Sequence, residues 1–267
     1  MKISLIITTY NWKEALALSI KSALAQKQKP DEIIVADDGS DGDTADLIKE
    51  IAASTSLPII HSWQEDEGFR LSASRNKAIA RASGDYIVLV DGDIVQEEHF
   101  IYDHARFACK GFFVQGTRVL LNEKLAREVL REQRLMRSFC TKGVENKKNC
   151  IRSGLLANLF SFKSKKTHGV RTCNFAFWRK DAIAVNGFNE EFIGWGREDS
   201  EFTARLINYG LVRRNIKFNA LAYHLYHTMN DRSLLSVNDI ILQETVEQRR
   251  CWCERGIDQY LDRRKVE

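Results

Sequence analysis

A hydrophobic run leads into an acidic turn at Tyr86-Ile87-Val88-Leu89-Val90-Asp91-Gly92-Asp93. Residues 86–90 are apolar or aromatic without a break, which predicts a strand that is covered on both faces. Gly92 lets the chain bend sharply between the two carboxylates. Paired carboxylates offer the oxygen ligands that Mg²⁺ and Mn²⁺ prefer. A plain Asp-Gly turn explains the same residues when they are considered alone.

Two earlier segments share this pattern of a buried strand that ends in polar residues. Residues 3–7 lead into Thr8-Thr9-Tyr10-Asn11, and residues 32–36 lead into Asp37-Asp38-Gly39-Ser40. Strands buried on both faces and separated by helices predict an α/β fold with a mixed, mostly parallel sheet flanked by helices. In such a sheet ligands bind beyond the carboxyl ends of the strands, where all three polar clusters lie.

The spacing of apolar residues predicts the remaining elements. In the first half we expect a strand at 57–61 and helices at 12–26, from an N-cap at Asp43, and at 72–82. In the second half we expect strands at 112–121 and 171–178, and helices at 97–110, 123–139, 202–208 and 244–264. We find no internal repeat or low-complexity linker, so a single domain over 1–267 is expected.

Charge is distributed unevenly along the chain. The net charge is +4 overall, but residues 123–180 carry fifteen Lys and Arg against four Glu. Solvated helix faces explain such a segment, and so does a surface, including Lys163, Lys165 and Lys166, that meets anionic lipid or a phosphorylated glycolipid. The segment lacks the interleaved aromatic residues typical of nucleic-acid binding, so no nucleic-acid partner is expected.

The start of the chain and its cysteines exclude some classes of protein. No apolar run approaches the roughly 20 residues that span a bilayer, and the first residues lack the regions of a signal peptide. We therefore expect a cytoplasmic protein. The six cysteines show no C-x-x-C spacing, so no zinc site is predicted.

The order and spacing of these motifs resemble those of the family-two inverting glycosyltransferases of GT-A fold. The motifs are Thr8-Thr9-Tyr10-Asn11, Asp37-Asp38-Gly39-Ser40, Gly84-Asp85 and Asp91-Gly92-Asp93. Further along, Gly194-Trp195-Gly196-Arg197-Glu198-Asp199 is similar to a motif of the β-1,4-galactosyltransferases and of the chondroitin-polymerase type of bacterial transferase. The resemblance covers about residues 1 to 230.

The resemblance implies positions for the nucleotide-sugar donor. Thr8 and Tyr10 match the positions that hold and stack on the nucleotide base. Asp38 matches the carboxylate that accepts the uracil N–H, which implies UDP as the carrier. Arg75 and Asn76 match a segment that lies along the donor.

The same resemblance implies a divalent metal, Mn²⁺ or Mg²⁺. Asp93 is implied as a direct ligand, Asp91 is implied near the ribose or as a further metal ligand, and Gly92 is implied beside the diphosphate. His224-Leu225-Tyr226-His227 is similar to the Met-x-x-His segment that completes metal coordination in the galactosyltransferases, which makes His227 the expected third ligand. Because His224 stands where that family has Met, its own role is open.

The motif at Gly194–Asp199 is implied to bind the acceptor and to remove its proton. A departing diphosphate accumulates negative charge that a cation stabilises, and the attacking hydroxyl needs a carboxylate to accept its proton. Asp199 is the expected base, Glu198 is expected to orient the acceptor, and Trp195 is expected to stack on a sugar face. Acidic residues are also favoured in the first turn of a helix, which explains Glu198 and Asp199 without any catalytic role.

These observations predict an enzyme that moves a hexose from a UDP-sugar to a hydroxyl of a glycan or glycolipid, in bacterial surface polysaccharide or lipopolysaccharide synthesis. The expected parts are a nucleotide-sugar-binding half at 1–115, an acceptor-binding half at 116–235 and a C-terminal helical extension at 236–267. A sugar nucleotidyltransferase is the nearest alternative, but it needs a Gly-rich phosphate loop after the first strand. A non-catalytic carbohydrate-binding protein is the other alternative.

Overall fold

The computed structural model describes residues 1–136, 141–167, 169–228 and 231–261. Its strands are β1 (Ile3–Thr9), β2 (Glu32–Asp37), β3 (Ile59–Trp63), β4 (Tyr86–Asp91), β5 (Ile94–Gln96), β6 (Phe112–Gln115), β7 (Thr117–Leu120), β8 (Phe162–Ser164), β9 (Asn174–Trp178), β10 (Val212–Asn215) and β11 (Leu221–His224). Its α-helices are α1 (Lys13–Leu24), α2 (Gly42–Ala53), α3 (Leu71–Arg81), α4 (Phe100–Phe107), α5 (Glu123–Glu132), α6 (Gly154–Phe160), α7 (Arg179–Ala184), α8 (Glu198–Asn208) and α9 (Leu235–Glu247). Short 3₁₀ helices lie at Lys147–Cys150 and Ile257–Tyr260.

The larger sheet joins eight of the described strands in the order β3-β2-β1-β4-β9-β6-β10-β8. Strands β3, β2, β1 and β4 run parallel, as do β6 and β10, whereas β9 runs antiparallel between β4 and β6. Leu5 of β1 belongs to the hydrophobic cluster that contains Leu16 of α1, and its neighbour Ile6 belongs to the cluster that contains Ile79 of α3. Helices therefore cover both faces, and the predicted mixed, mostly parallel α/β sheet is confirmed.

The carboxyl ends of the first strands meet at one edge of the larger sheet. Thr9 of β1 lies opposite Asp37 of β2, and Thr8 lies opposite Asp91 of β4. The backbone N–H of Asp38 also donates to the carbonyl of Thr9, with an N···O distance of 3.0 Å. This register brings together the three polar clusters that follow the predicted strands.

A smaller sheet of β5, β11 and β7 lies beside the first. The prediction of a single strand at 112–121 is wrong, because the chain changes sheets at Gly116, between β6 and β7. A Cβ atom at Gly116 would lie 2.3 Å from Oδ1 of the buried Asn174 side chain. Only glycine lets the backbone pass Asn174 this closely. The predicted strand is therefore divided at Gly116, although its apolar residues continue on both sides.

The prediction of a terminal helix at 244–264 is also wrong. Helix α9 ends at Glu247, and Arg249 adopts a left-handed backbone conformation with a φ of 51°. The chain then folds back, where the N–H of Ile257 donates to the carbonyl of Asn186 at 3.0 Å. These tertiary contacts outweigh the helix propensity of the polar sequence. The predicted segment extends to 264, and its last residues lie outside the described ranges.

Other predicted elements keep their type but change their bounds. The helix predicted at 123–139 stops at Glu132, because Gln133 takes a left-handed φ of 48° and its N–H caps the last turn by donating to Leu130. Residues 137–139 of that prediction lie outside the described part. The helix from Asp43 begins at Gly42, with Asp41 at the N-cap position. In the described ranges, no helix is long and apolar enough to cross a bilayer.

Candidate active site

The acidic turn after β4 packs directly against the end of β1. Thr8 Oγ1 donates a hydrogen bond of 3.1 Å to Asp91 Oδ1. A Cβ atom at Gly92 would lie 2.5 Å from the carbonyl oxygen of Thr8. Glycine is therefore needed here because of the close approach of β1, and the turn is held at the edge of the sheet where a ligand would bind.

Asp93 lies together with both histidines of the predicted metal segment. The Nε2 atoms of His224 and His227 lie 3.4 and 3.2 Å from Asp93 Oδ2. This contact depends on the smaller sheet, where His224 pairs with Ile94 across β11 and β5, and Leu225 N–H donates to the carbonyl of Asp93 at 2.9 Å. The register thus brings a histidine to a carboxylate from the other half of the chain.

The chemistry of these three side chains fits a divalent cation. Their ligand atoms lie within 4.8 Å of one another. His227 Nδ1 lies 2.7 Å from the carbonyl of Thr228, which can only accept, so Nδ1 is the donor there and Nε2 is the ring nitrogen that faces Asp93. Asp93 Oδ1 is buried and has no hydrogen-bond partner among the described residues. An imidazole and carboxylate set of this kind suits Mn²⁺ or a related ion.

Electrostatics within this cluster also favour a cation. Burial, reinforced by the neighbouring Asp91 carboxylate, raises the pKa of Asp93 well above its usual value. Burial and the nearby Arg118 guanidinium lower the pKa of His224 to about 4, so its imidazole is neutral near pH 7 and keeps a lone pair for a ligand bond. His224 thus lies beside His227 and faces the same oxygen of Asp93.

Asp91 occupies a different place from the one predicted for a metal ligand. Its carboxylate accepts from Thr8 and lies 3.4 Å from Arg75 Nη2, and it is not a member of the cluster of Asp93, His224 and His227. The structure therefore places Asp91 next to the metal cluster and ties it to protein donors.

Arg75 joins the donor side of the site to the acceptor side. The side chain is buried, and its Nη1 atom lies 3.1 Å from Asp199 Oδ1 and 3.6 Å from Glu198 Oε1, while Nη2 faces Asp91. Its guanidinium also lies 5.0 Å from the ring centre of Phe188. A buried guanidinium with several donors can hold carboxylates from separate elements in fixed positions.

Asp199 and Glu198 share the first turn of α8 but have different surroundings. Asp199 Oδ1 accepts from Thr172 Oγ1 at 2.5 Å and Oδ2 accepts from the Thr172 N–H at 2.9 Å. Burial and the adjacent Asp199 carboxylate raise the pKa of Glu198 to about 8, against the opposing effect of Arg75. Near pH 7 Glu198 is thus largely protonated, whereas Asp199 has the hydroxyl and the N–H of Thr172 as donors.

The loop before α8 is held in an unusual backbone conformation. Gly194, Gly196 and Arg197 all have positive φ, of 74°, 108° and 77°. Asn238 of α9 donates to the carbonyl of Gly196 at 3.0 Å and fixes the loop. Trp195 is half-buried, and the guanidinium of Arg232 lies 4.9 Å from the centre of its ring system.

Two of the predicted base-binding residues, Tyr10 and Asp38, follow β1 and β2 at the same edge of the sheet. Asp38 accepts from Gln64 Nε2 at 2.5 Å and from the N–H of Arg70 at 2.9 Å. Burial raises the pKa of Asp38 to about 6. Tyr10 is exposed, and its hydroxyl donates to Asp66 at 3.0 Å, which leaves the ring free to stack on a flat ligand.

Asn76 does not face the donor region as predicted. It is fully buried, and its amide donates to the carbonyl of Phe188 at 2.7 Å and to Glu190 Oε1 at 2.8 Å. Its Oδ1 accepts from the N–H of Phe188 at 2.7 Å. Asn76 therefore positions the segment around Phe188. Its contact with the site is indirect, because the Phe188 ring packs against Arg75.

Two residues of the site were not singled out from the sequence. Thr172 holds both oxygens of Asp199, and Arg118 affects the pKa of Asp93 and His224. Thr172 falls at the start of a predicted strand and Arg118 inside one, without a motif around either. Only the fold shows that they face the site.

Sequence comparisons agree with this arrangement. A model of glycosyl transferase family 2 matches residues 4–183, more than half of the chain. The chain belongs to glycosyl transferase family 2. A second model, the N-terminal domain of galactosyltransferase, matches residues 155–228 of this glycosyltransferase, the segment that contains Trp195, Asp199 and His224.

Curated relatives of the glycosyltransferase include much longer proteins. It is 28% identical to the hyaluronan synthase of Pasteurella multocida over 83% of this chain and 24% of the relative. It is 26% identical to the chondroitin synthase of Escherichia coli over 83% of this chain and 34% of the relative. The chain thus spans about a quarter to a third of the length of these two proteins.

Solved structures show that the fold is GT-A. S. aureus TarS aligns with a TM-score of 0.64 at 16% identity, over 97% of this chain and 68% of that chain. The mannosyltransferase PcManGT from Pyrobaculum calidifontis, solved with GDP-Man and Mn²⁺, aligns with a TM-score of 0.58 at 16% identity, over 85% of this chain and 57% of that one. The predicted GT-A sheet and family membership are both confirmed.

Proposed function

We propose that this glycosyltransferase uses a divalent metal and a UDP-sugar, and that it transfers a hexose to a hydroxyl group with inversion at the anomeric carbon. The observation that carries the proposal is the convergence of Asp93, His224 and His227 within 4.8 Å, beside the carboxylates that Arg75 holds. A cation bound by these three residues would supply Lewis-acid stabilisation of the departing diphosphate.

The edge formed by β1, β2 and β4 is the proposed binding site of the UDP-sugar donor. Tyr10 offers an exposed ring for the nucleobase, and Asp38 offers a buried carboxylate for the uracil N–H. Thr8 and Gly92 make the close contact that holds the turn after Asp91, where the diphosphate is proposed to bind. The proposed site takes residues from both proposed halves of the chain, because Asp93 belongs to 1–115 and His224 belongs to 116–235.

Proton transfer is proposed for Asp199. Its carboxylate can accept the proton of the attacking hydroxyl, while protonated Glu198 can donate a hydrogen bond that orients the acceptor. Thr172 and Arg75 fix the position of Asp199. With one base and no second carboxylate acting as a nucleophile, the sugar undergoes a single displacement and its configuration inverts.

A glycan or glycolipid of the bacterial surface is the proposed acceptor. The curated relatives include two polysaccharide synthases and an Escherichia coli enzyme named as transferring glucose from UDP-Glc to an undecaprenol-linked sugar, which is 36% identical over 34% of this chain. Bacterial surface polysaccharide or lipopolysaccharide synthesis is the setting that this range of relatives supports.

Hydrolysis of UDP-sugars measured with and without Mn²⁺ tests the proposal. We expect UDP release that requires the metal and that Asp93→Asn abolishes. Glu98→Gln is the matched control, because Glu97, Glu98 and His99 form another acid and histidine cluster outside the site. Synthesis of UDP-sugar from UTP and a sugar phosphate would instead show a nucleotidyltransferase. Sugar binding without any turnover would show a carbohydrate-binding protein.

A second surface supports peripheral contact with an anionic membrane. Helix α6 and β8 expose four large apolar side chains that are at least half accessible: Leu155, Leu159, Phe160 and Phe162. Exposed Lys163, Lys165 and Lys166 follow at once. Apolar side chains beside lysines match the interface of an anionic bilayer, where each lysine adds about 1 kcal/mol.

Sedimentation with lipid vesicles tests this surface. We expect the protein to sediment with vesicles that contain phosphatidylglycerol and to stay in solution with phosphatidylcholine alone. Leu159→Gln and Lys163→Gln should each reduce sedimentation, whereas Ile240→Gln, on an exposed face of α9, should not. Equal sedimentation of the variants and the wild type would exclude this surface as the site of membrane contact.

A further inference from the structure

A cavity of about 210 Å³ lies next to the proposed active site. Three cationic side chains line it, Arg118, Arg171 and Lys217, together with polar side chains such as Asn146 and Asn149. Among the described residues that line it there is no carboxylate. A concave polar surface with cations from three separate segments is suited to an anionic group.

The three cations lack acidic partners in the described part of the chain. None of them has a carboxylate oxygen within the 4.0 Å of an ion pair. Burial and the like charge of Arg118 lower the pKa of Arg171, and both arginines line the cavity. An anion placed between them would relieve this repulsion.

The wall that carries Arg118 is rigid. The amides of Asn146 and Asn149 donate to the carbonyl of Arg118 at 3.0 and 2.9 Å, and the N–H of Leu120 donates to Asn146 Oδ1 at 2.8 Å. These bonds tie the 3₁₀ helix Lys147–Cys150 to β7. The cation is therefore presented from a fixed backbone, which lowers the cost of ordering it when a ligand binds.

The cavity lies between the cluster at Asp93 and the carboxylate of Asp199, because its lining residue Cys173 is close to both. Arg171 immediately precedes Thr172, which binds both oxygens of Asp199. Cys173 lines the cavity, and its thiol is close enough for Asp91 and Asp199 to affect its pKa. A group in the cavity would thus belong to a molecule that also reaches Asp199.

We propose that this cavity binds an anionic substituent, a carboxylate or a phosphate, carried by the acceptor, so that the enzyme selects acidic acceptors. The inference rests on the proposed function, because it assigns the acceptor to the Asp199 side. Charge-assisted hydrogen bonds from arginine are about twice as strong as neutral ones, so the anionic group would contribute to selectivity as well as to affinity.

Binding of small probes to protein saturated with UDP and Mn²⁺ tests the inference, since the diphosphate then occupies its own site. Calorimetry or ligand-observed NMR would compare methyl glucuronide with methyl glucoside, and glycerol phosphate with glycerol. We expect at least one anionic probe to bind about tenfold more tightly than its neutral partner, which corresponds to one or two charge-assisted bonds. The pair that shows the difference identifies the carboxylate or the phosphate.

Variants of the lining cations test whether the preference for anionic probes depends on the cavity. Arg171→Ala and Lys217→Ala should reduce the preference to about twofold or less, and Arg171→Lys should keep part of it. The control is Arg127→Ala, which removes an exposed arginine of α5 that does not line the cavity. Circular dichroism melting confirms that each variant is folded.

Two results would overturn the inference while leaving the proposed function intact. One is equal binding of anionic and neutral probes, or a preference that survives Arg171→Ala and Lys217→Ala. The other is loss of UDP binding in these variants, which would assign the cations to the diphosphate. Failure of the wild-type protein to bind UDP with Mn²⁺ would instead contradict the proposed function itself.

Discussion

Arg75 Nη1 lies 3.1 Å from Asp199 Oδ1, so a buried cation of α3 contacts the acceptor-side carboxylate at the start of α8. The other terminal nitrogen faces Asp91 at the end of β4, 3.4 Å away. The donor-side and acceptor-side carboxylates are therefore held at a fixed separation through one guanidinium. This relationship makes Arg75 a positioning residue for the carboxylates of β4 and α8.

Replacing Arg75 should cost both stability and activity. Arg75→Ala removes a buried cation from carboxylates that are only partly exposed, so we expect the free energy of unfolding to fall by about 3 kcal/mol. Arg75→Lys keeps the charge but loses the planar fork, so we expect smaller destabilisation and a roughly 10²-fold drop in turnover from misplaced carboxylates. Urea denaturation and UDP-sugar turnover measure the two effects.

Arg205 provides the matched control for this pair of variants. Its side chain is also buried and paired with a carboxylate, Glu201, at 2.7 Å, but it does not contact Asp91, Glu198 or Asp199. Arg205→Lys should lower stability to a similar extent and leave turnover of the folded protein near that of the wild type. Equal losses of turnover in the two lysine variants would show that Arg75 acts only through stability.

The metal cluster makes a separate prediction about stability. Adding Mn²⁺ and UDP should raise the melting temperature, because a ligand at about a hundredfold its dissociation constant stabilises the native state by about 2.7 kcal/mol. Asp93→Asn should remove this rise, and His224→Ala and His227→Ala should each reduce it. A thermal shift of Asp93→Asn equal to that of the wild type would exclude Asp93 as a ligand.

The first half of the site was predictable because its signals are local. Each strand is a continuous apolar run, and its polar cluster follows directly in the sequence, as at Asp91 after β4. Parallel pairing of the strands then brings the polar clusters to one edge of the sheet, and this does not depend on where the helices begin and end. The positions of Thr8, Asp38 and Asp91 at this edge followed from pattern alone.

The second half was less predictable because its contacts are set by register and packing. His224 meets Asp93 only because β11 pairs with β5, and no spacing in the sequence encodes that pairing. Asn76 has the polarity of a binding residue, yet the fold turns it towards Phe188. Likewise, Gly116 divides a strand only because Asn174 lies against it. Such outcomes depend on neighbours that are distant in the sequence.

The environment of Asp38 predicts how nucleoside binding depends on pH. With a pKa raised by burial to about 6, Asp38 loses its negative charge as the pH falls below that value, so it becomes a poorer acceptor for the uracil N–H. Uridine is the suitable probe because it lacks the diphosphate and does not need the metal. Its affinity should fall several-fold between pH 7 and pH 5 in the wild type. An Asp38→Asn variant should bind weakly at both values, and a pH dependence that it retains would point to another group.

The raised pKa of Glu198 predicts a dependence of stability on pH. Its carboxyl has a pKa of about 8 in the folded protein, against an ordinary value of 4.5, mainly because of burial. Between these values the folded state keeps a proton that the unfolded state releases, so this group lowers stability as the pH rises from about 4.5 to 8. Glu198→Gln mimics the protonated form and should remove the effect, with a gain over the wild type on the order of a few kcal/mol at pH 9 and almost none at pH 4.

Activity of the same variant separates the roles of the two acidic residues of α8. If protonated Glu198 only donates a hydrogen bond to the acceptor, Glu198→Gln keeps a donor in that position and should retain most of the turnover at pH 7. Asp199→Asn removes the base and should lose about 10²–10⁴-fold. The reverse order of the two losses would assign the base to Glu198, and Arg75 would then be positioning Asp199 for hydrogen bonding with Thr172 alone.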